Sequence, residues 1–163
     1  MSFNTGDPLG YFITWTCYGT WLPGDERGWR KRGRLDPLLP SQLFKEMAES
    51  DMKETHFLMS KQDQAIVEAT VAKHCEIRNW HLHVVNARSN HVHVVVTAPG
   101  YDPETVSDQF KAWCTRKLKS LHVGRERFWT EGASRRWLNT EEELAAAILY
   151  ASDEVQDRKG LAP

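Results

Sequence analysis

Residues 80–98 read WHLHVVNARSNHVHVVVTA, two runs rich in valine and histidine parted only by Ser89 and Asn90. β-Branched and aromatic residues favour an extended backbone, and a two-residue polar break between two such runs marks a tight hairpin. Strands are therefore expected over 80–88 and 91–98, with Val94-Val95-Val96 marking the second as a central, buried strand. Successive side chains on a strand alternate faces, so His91 and His93 project together while Val92 and Val94 point the other way. His81 and His83 repeat the pattern on the first strand of the pair.

Upstream, YFITWTCY at 11–18 is β-branched and aromatic between Gly10 and Gly19, which reads as a buried first strand. Ser60 followed by Asp63 has the form of an N-cap with an acidic first turn. Ile66, Val67, Thr70, Val71 and His74 then recur at helical spacing, so a helix is expected over 61–78. After Pro99-Gly100, the residues Val106, Phe110, Trp113, Cys114, Lys117, Leu118 and Leu121 trace one face of a second helix. The stretches 128–130 and 136–138 flank Gly132 and suggest a short hairpin or a strand with a turn. Thr140 and Glu143 form a capping box that opens a third helix reaching about residue 154. The order β, α, β, β, α, β, α is the α+β split βαβ plan: an antiparallel sheet with helices on one face and one additional C-terminal helix.

The 163 residues fit one domain, 1–163, with ample material for a hydrophobic core. Apolar residues at 40% and charged residues at 26% exclude a disordered polyelectrolyte and a membrane span. With 21 Lys and Arg against 22 Asp and Glu, no overall charge draws the chain to nucleic acid, so any basic surface is local. Cys17, Cys75 and Cys114 are odd in number and far apart, which argues against a disulfide framework and a thiolate zinc site and for a reducing cytoplasm. The first residues lack a basic and then apolar leader, so export by the usual signal is not expected. Residues 19–59, punctuated by Gly and Pro and holding a basic stretch, are expected to form a long loop or insert.

His91-Val92-His93 supplies two aligned imidazoles, half of a metal site, although strand histidines also occur by chance. It is favoured over His81-Leu82-His83, which lies at the far end of its strand, where pairing across the sheet or contact with solvent is expected. A histidine-triad hydrolase would need a third histidine where the chain has Val95, and a cupin a glutamate where it has Val96, Thr97 and Ala98. On the last helix, Leu144, Ile148, Ala151 and Val155 share a core-facing arc. Tyr150 falls to one side of it with Glu143, Ala147 and Glu154, so phenol and carboxylate share a flank. Two histidines and a carboxylate can bind a divalent ion with positions open for a substrate oxygen, and a nearby tyrosine could attack phosphorus in line. Mg²⁺ prefers oxygen ligands, the imidazoles make Mn²⁺ plausible, and zinc stays open. Local basic groups interleave with indoles: Arg27, Arg30, Lys31, Arg32 and Arg34 around Trp29; Lys111, Arg116, Lys117 and Lys119 on the second long helix; Arg125, Arg127, Arg135 and Arg136 beside Trp129 and Trp137. Such groups suit a nucleic-acid strand, and equally a solvated face over buried tryptophans.

Asn90-His91-Val92-His93-Val94-Val95-Val96, the Phe128-Trp129-Thr130 segment, and a closing helix with Tyr150 ahead of Arg158-Lys159-Gly160-Leu161 together resemble the HUH-type single-tyrosine transposases of insertion sequences, especially their REP-associated relatives. The resemblance spans about residues 10–162. It implies a ferredoxin-like fold that cleaves and rejoins single-stranded DNA near a hairpin. His91 and His93 match the metal-binding histidines. Tyr150 matches the nucleophile that forms a 5′-phosphotyrosine, and Glu154 the third ligand, where the family often has Gln or Asn. Members act as monomers or as homodimers in which the tyrosine helix serves the partner's histidines. The expected function is a metal-dependent strand transferase, using Mg or Mn, on single-stranded or hairpin DNA. The alternatives are a catalytically inactive hairpin-binding module and a hydrolase of small phosphoesters.

Overall fold

The structure, a computed structural model, describes residues 7–20 and 54–153. Among these, the elements in chain order are β1 (Gly10–Thr16), α1 (Lys61–Arg78), β2 (His81–Ala87), β3 (His91–Thr97), α2 (Pro103–Lys119), β4 (Ser134–Leu138) and α3 (Glu141–Ser152). The strands form one antiparallel sheet in the order β2-β3-β1-β4. This is the expected ferredoxin-like split βαβ arrangement, with α3 added. No helix among the described residues is long and apolar enough to cross a membrane.

The period-two pattern divides the sheet into two unlike faces. Tyr11, Ile13 and Trp15 of β1 and Val92, Val94 and Val96 of β3 meet Val67, Val71 and Cys75 of α1 and Val106, Phe110, Cys114 and Leu118 of α2 in the main core. On the opposite face Val95 and Leu138 meet Ala147 and Ala151 of α3, with Phe12, Val84, Leu144 and Ile148 around them. β3 is covered on both sides, which is why its valines run without a break. His91 and His93 share parity with Val95, so they lie on the face that α3 crosses.

Local signals set the helix limits. Ser60 and Asp63 form a reciprocal capping box at α1, and Asn79 ends that helix in the left-handed conformation, its N–H reaching the carbonyls of Cys75 and Glu76. Asp102 caps α2, with Pro103 in its first turn. Thr140 and Glu143 form the box that opens α3, which ends at Ser152, short of the expected 154. Cys17, Cys75 and Cys114 are free and buried, and burial pushes each thiol up to about 12.

Four features differ from expectation. The hairpin turn at Ser89 and Asn90 closes with Arg88 N–H donating to His91 O at 2.8 Å, yet neither turn residue has the positive φ of the primed turns. Tertiary bonds hold it instead: Met59 N–H donates to Ser89 O at 2.7 Å and Cys17 N–H to Asn90 O at 2.9 Å. The β2–β3 register shifts between Leu82 and Val84, leaving His83 as the extra residue of a bulge. Residues 128–130 do not pair with β4. They extend β1, through a Cys17–Trp129 bridge and a Tyr18 N–H to Phe128 O bond of 2.8 Å, while β4 lies along β1 itself. Finally, Trp113, Lys117 and Leu121 are exposed, because the buried stripe of α2 steps by four through 106, 110, 114 and 118 and leaves them on its shoulder.

That division of α2 is testable by urea unfolding. Phe110→Ala, at a site with no exposure, is expected to cost about 3–5 kcal/mol. Trp113→Ala should stay within about 1 kcal/mol. Equal losses would mean that the helix is rotated.

Candidate active site

His91 and His93 are 2% and 6% exposed, and their ring centroids lie 4.6 Å apart. Each has its Nδ1 engaged. His91 Nδ1 lies 3.2 Å from Asn90 Oδ1, an oxygen that only accepts, so this nitrogen carries the proton and Nε2 keeps its lone pair. His93 Nδ1 lies 2.7 Å from the hydroxyl of Thr14, its cross-strand partner on β1, which can accept in the same way. Such bonds fix the tautomer and ring orientation of metal-binding histidines. Burial pushes both histidines down to about 4, with Arg88 adding to the effect at His91, and His91 and then Arg88 adding to it at His93. Both imidazoles are therefore neutral near pH 7, the form that can donate a lone pair.

α3 brings Tyr150 against His93. Its first turn is anchored where Glu143 Oε1 accepts from Asn139 N–H at 2.9 Å and Thr140 N–H at 3.1 Å, and its last where the Asn86 amide donates to Ala151 O at 2.7 Å. Asn86 is the cross-strand partner of His93 on β2, so the residue that holds the helix end sits beside the histidine. The Tyr150 ring lies 5.8 Å from the His93 ring and 5.8 Å from Phe12, and it is 49% exposed. Phe12, Thr14, His93, Ser134, Arg136 and Tyr150 line an open cleft of about 770 Å³ between α3 and the β1–β4 half of the sheet. A phenol half open to solvent, a neutral imidazole and a guanidinium thus face one space within a single chain. Ala147, expected on the Tyr150 flank, both lines this cleft and packs into the core at 5% exposure.

His81 and His83 lie at the far end of the face, with centroids 4.4 Å apart. His83 Nε2 is engaged by Thr97 Oγ1 at 2.7 Å, and that hydroxyl donates to Leu9 O. His81 is exposed. The pair meets partner and solvent as expected of it. Glu154 lies outside the described residues, and among the described residues no three His, Cys, Asp or Glu side chains cluster as a metal site. The two imidazoles fit a divalent ion only as part of a larger ligand set.

The basic residues are dispersed. Arg27, Arg30, Lys31, Arg32 and Arg34 lie outside the described residues. Lys111, Arg116, Lys117 and Lys119 belong to α2, on the sheet face opposite the cleft. Lys111 donates to Thr130 O and Gly132 O at 3.1 and 2.9 Å, Arg116 lies 4.5 Å over the Trp113 ring, and Lys119 pairs with Glu126 at 2.8 Å. On β4, alternation sends Arg135 toward α2, where its Nε donates to Ser107 Oγ at 2.9 Å, and Arg136 into the cleft. The supporting residues Thr14, Asn86 and Arg88 were not among those the motifs singled out, whereas Asn90 stands in the hairpin break and opens the Asn90-His91-Val92-His93 run. A polar Asn86 between Val85 and Ala87 is a local signal for that residue alone.

The buried imidazoles carry a pH signature. Free histidine titrates near 6.5, so between about 4 and 6.5 the unfolded chain binds more protons than the folded one. Stability from this pair is complete above pH 6.5 and is lost as pH falls through about 4, amounting to a few kcal/mol. In metal-free buffer, urea unfolding from pH 7 to pH 4 should show a loss that the double variant His91→Gln, His93→Gln lacks. Parallel profiles would contradict the burial.

No family model matches the chain, and no curated protein matches it at a significant level. Solved structures do. A candidate transposase from Deinococcus radiodurans R1 aligns with a TM-score of 0.50 at 12% identity, over 92% of this chain and 93% of its own. A REP-associated tyrosine transposase bound to a REP hairpin aligns with a TM-score of 0.52 at 14% identity, over 96% of this chain and 84% of its own. At such identities the likeness is one of fold, and it extends over nearly the whole sequence: the chain has the ferredoxin-like α+β fold of these transposase structures.

Proposed function

We propose that this protein is a metal-dependent DNA strand transferase, a transposase that cleaves and rejoins single-stranded or hairpin DNA through a 5′-phosphotyrosine. The observation that carries the reading is the approach of the Tyr150 ring to within 5.8 Å of the His93 ring in one chain, in a cleft that also takes Arg136. The likeness to a hairpin-bound tyrosine transposase supports DNA as the partner.

In this reading the Tyr150 oxygen, once its proton is lost, attacks a backbone phosphorus in line. The tyrosine O–P bond forms, the bond from phosphorus to the 3′-oxygen breaks, and that oxygen takes a proton to leave as a 3′-hydroxyl. Attack by another 3′-hydroxyl on the phosphotyrosine rejoins a strand and frees Tyr150. His91 and His93, kept neutral by burial and oriented by Asn90 and Thr14, would hold a divalent ion, Mg²⁺ or Mn²⁺, with Glu154 as third ligand. When bound, the ion supplies Lewis acidity toward a nonbridging phosphate oxygen. Arg136 offsets charge that develops on the phosphate. The basic residues of 27–34, and those of α2 on the sheet face opposite the cleft, are DNA contacts in this reading. The approach of Tyr150 to His93 within one chain supports a monomer as the acting unit, a helix-exchanged homodimer being the other assembly this reading admits. The protein acts in the cytoplasm.

The test is a covalent adduct. Labelled hairpins with single-stranded flanks, incubated with protein and Mn²⁺ or Mg²⁺, should give a protein–DNA band that resists denaturation. Tyr150→Phe should abolish it, and His91→Ala with His93→Ala should lower its rate by at least about 100-fold. An adduct that survives Tyr150→Phe overturns the reading. Hairpin binding by the parent with no cleavage under any metal would make it a binding module.

A further inference from the structure

A second cleft, of about 420 Å³, opens at the β2 edge and is lined by Lys61, Gln64, Glu68, Asn86, Arg88 and Ser152 among others. The last turn of α3 stands between the two clefts, with Tyr150 lining one and Ser152 the other. Arg88 follows β2 directly. Its backbone N–H donates to His91 O at 2.8 Å, which fixes its position opposite the first histidine of the pair.

The Arg88 side chain is the odd feature. Its Nε is buried and has no hydrogen-bond partner among the described residues. A buried unpaired donor is costly, and more so on a group that cannot shed its charge. Glu68, the acid in the same cleft, has Oε2 committed to Ala87 N–H at 2.9 Å. The cation also acts on both histidines, helping burial to keep them unprotonated. A guanidinium with a free, shielded donor beside neutral imidazoles, and a lysine on the same wall, is a site for an anion with several oxygens.

Resting on the strand-transferase reading, we propose that Arg88 binds a backbone phosphodiester of the DNA strand, so that the strand passes from the β2-edge cleft across the histidine pair to Tyr150. The buried Nε–H takes one phosphate oxygen, and Lys61 adds charge on the same wall of the cleft. The role is one of binding and placement. Bond making and breaking stay at Tyr150.

The experiment uses the full chain in EDTA, where no strand is cut. The Nε–Hε resonance of Arg88, assigned by its loss in Arg88→Lys, is followed while a single-stranded oligonucleotide or, separately, inorganic phosphate is added. Oligonucleotide affinity is measured in parallel against salt. The resonance should shift with the oligonucleotide at concentrations where inorganic phosphate leaves it unmoved. Arg88→Met should weaken binding by about 10-fold and reduce the salt slope by about 0.7, the share of one contact to a single strand. Arg88→Lys should keep the slope, which a purely structural role would not predict. A parent that binds the oligonucleotide with Arg88 silent and the slope unchanged in Arg88→Met overturns the subsite and leaves the transferase reading standing. An Arg88 response without any Tyr150 adduct does the reverse. Equal shifts with inorganic phosphate make this a free-anion site and overturn the DNA assignment, as does a parent that binds no oligonucleotide.

Discussion

The site depends on the two-residue alternation of β3. Val92, Val94 and Val96 enter the main core, and that burial holds the strand's register; the same register fixes His91, His93 and Val95 on the opposite face. A slip of one residue would drive imidazoles into the apolar core and turn valines toward α3. Registry here is enforced by apolar burial on the far side of the sheet rather than by the polar groups it serves. The histidines are thus positioned by packing on the face they do not occupy.

The second constraint is how closely α3 can approach. Its contact residues are Ala147 and Ala151, whose small side chains let the helix settle on Val95 and Leu138. Asn86 then pins its final carbonyl region beside His93. A helix so placed puts a tyrosine one residue before that anchor against the histidine while half of its ring stays in water. The phenol is in this way held by packing on one side and open to solvent on the other.

Much of this was legible in the residue pattern because it follows from short-range rules. The capping boxes at Ser60 and Thr140, the two-residue break at Ser89 and Asn90, and the valine run of β3 are local, and the elements stand where those signals put them. His83 is engaged by Thr97 and His81 is exposed, whereas His91 and His93 are buried on the face that α3 crosses. What could not be read is long-range. That Phe128–Thr130 extends β1 depends on a partner far away in sequence, and so does the Thr14 bond to His93. The fate of the basic residues turned on tertiary partners as well: Lys111 is drawn to two carbonyls and Arg135 to Ser107, while its neighbour Arg136 faces the cleft. The bulge at His83 has no local signature, because a register shift depends on the partner strand.

The position of β1 at the middle of the sheet has a consequence for how the protein is made. This strand precedes the other described strands, yet its two neighbours are β3 and β4, the latter reaching Leu138 near the far end of the described residues. A nascent chain leaving the ribosome therefore exposes Ile13 and Trp15, with a backbone edge open, until β3 and then β4 have been translated. Closing such distant pairings is slow for any polypeptide, so chaperone capture or self-association competes with completion of the sheet. Cellular yield should then depend more on the protection of these first strand residues during translation than on the stability of the finished molecule.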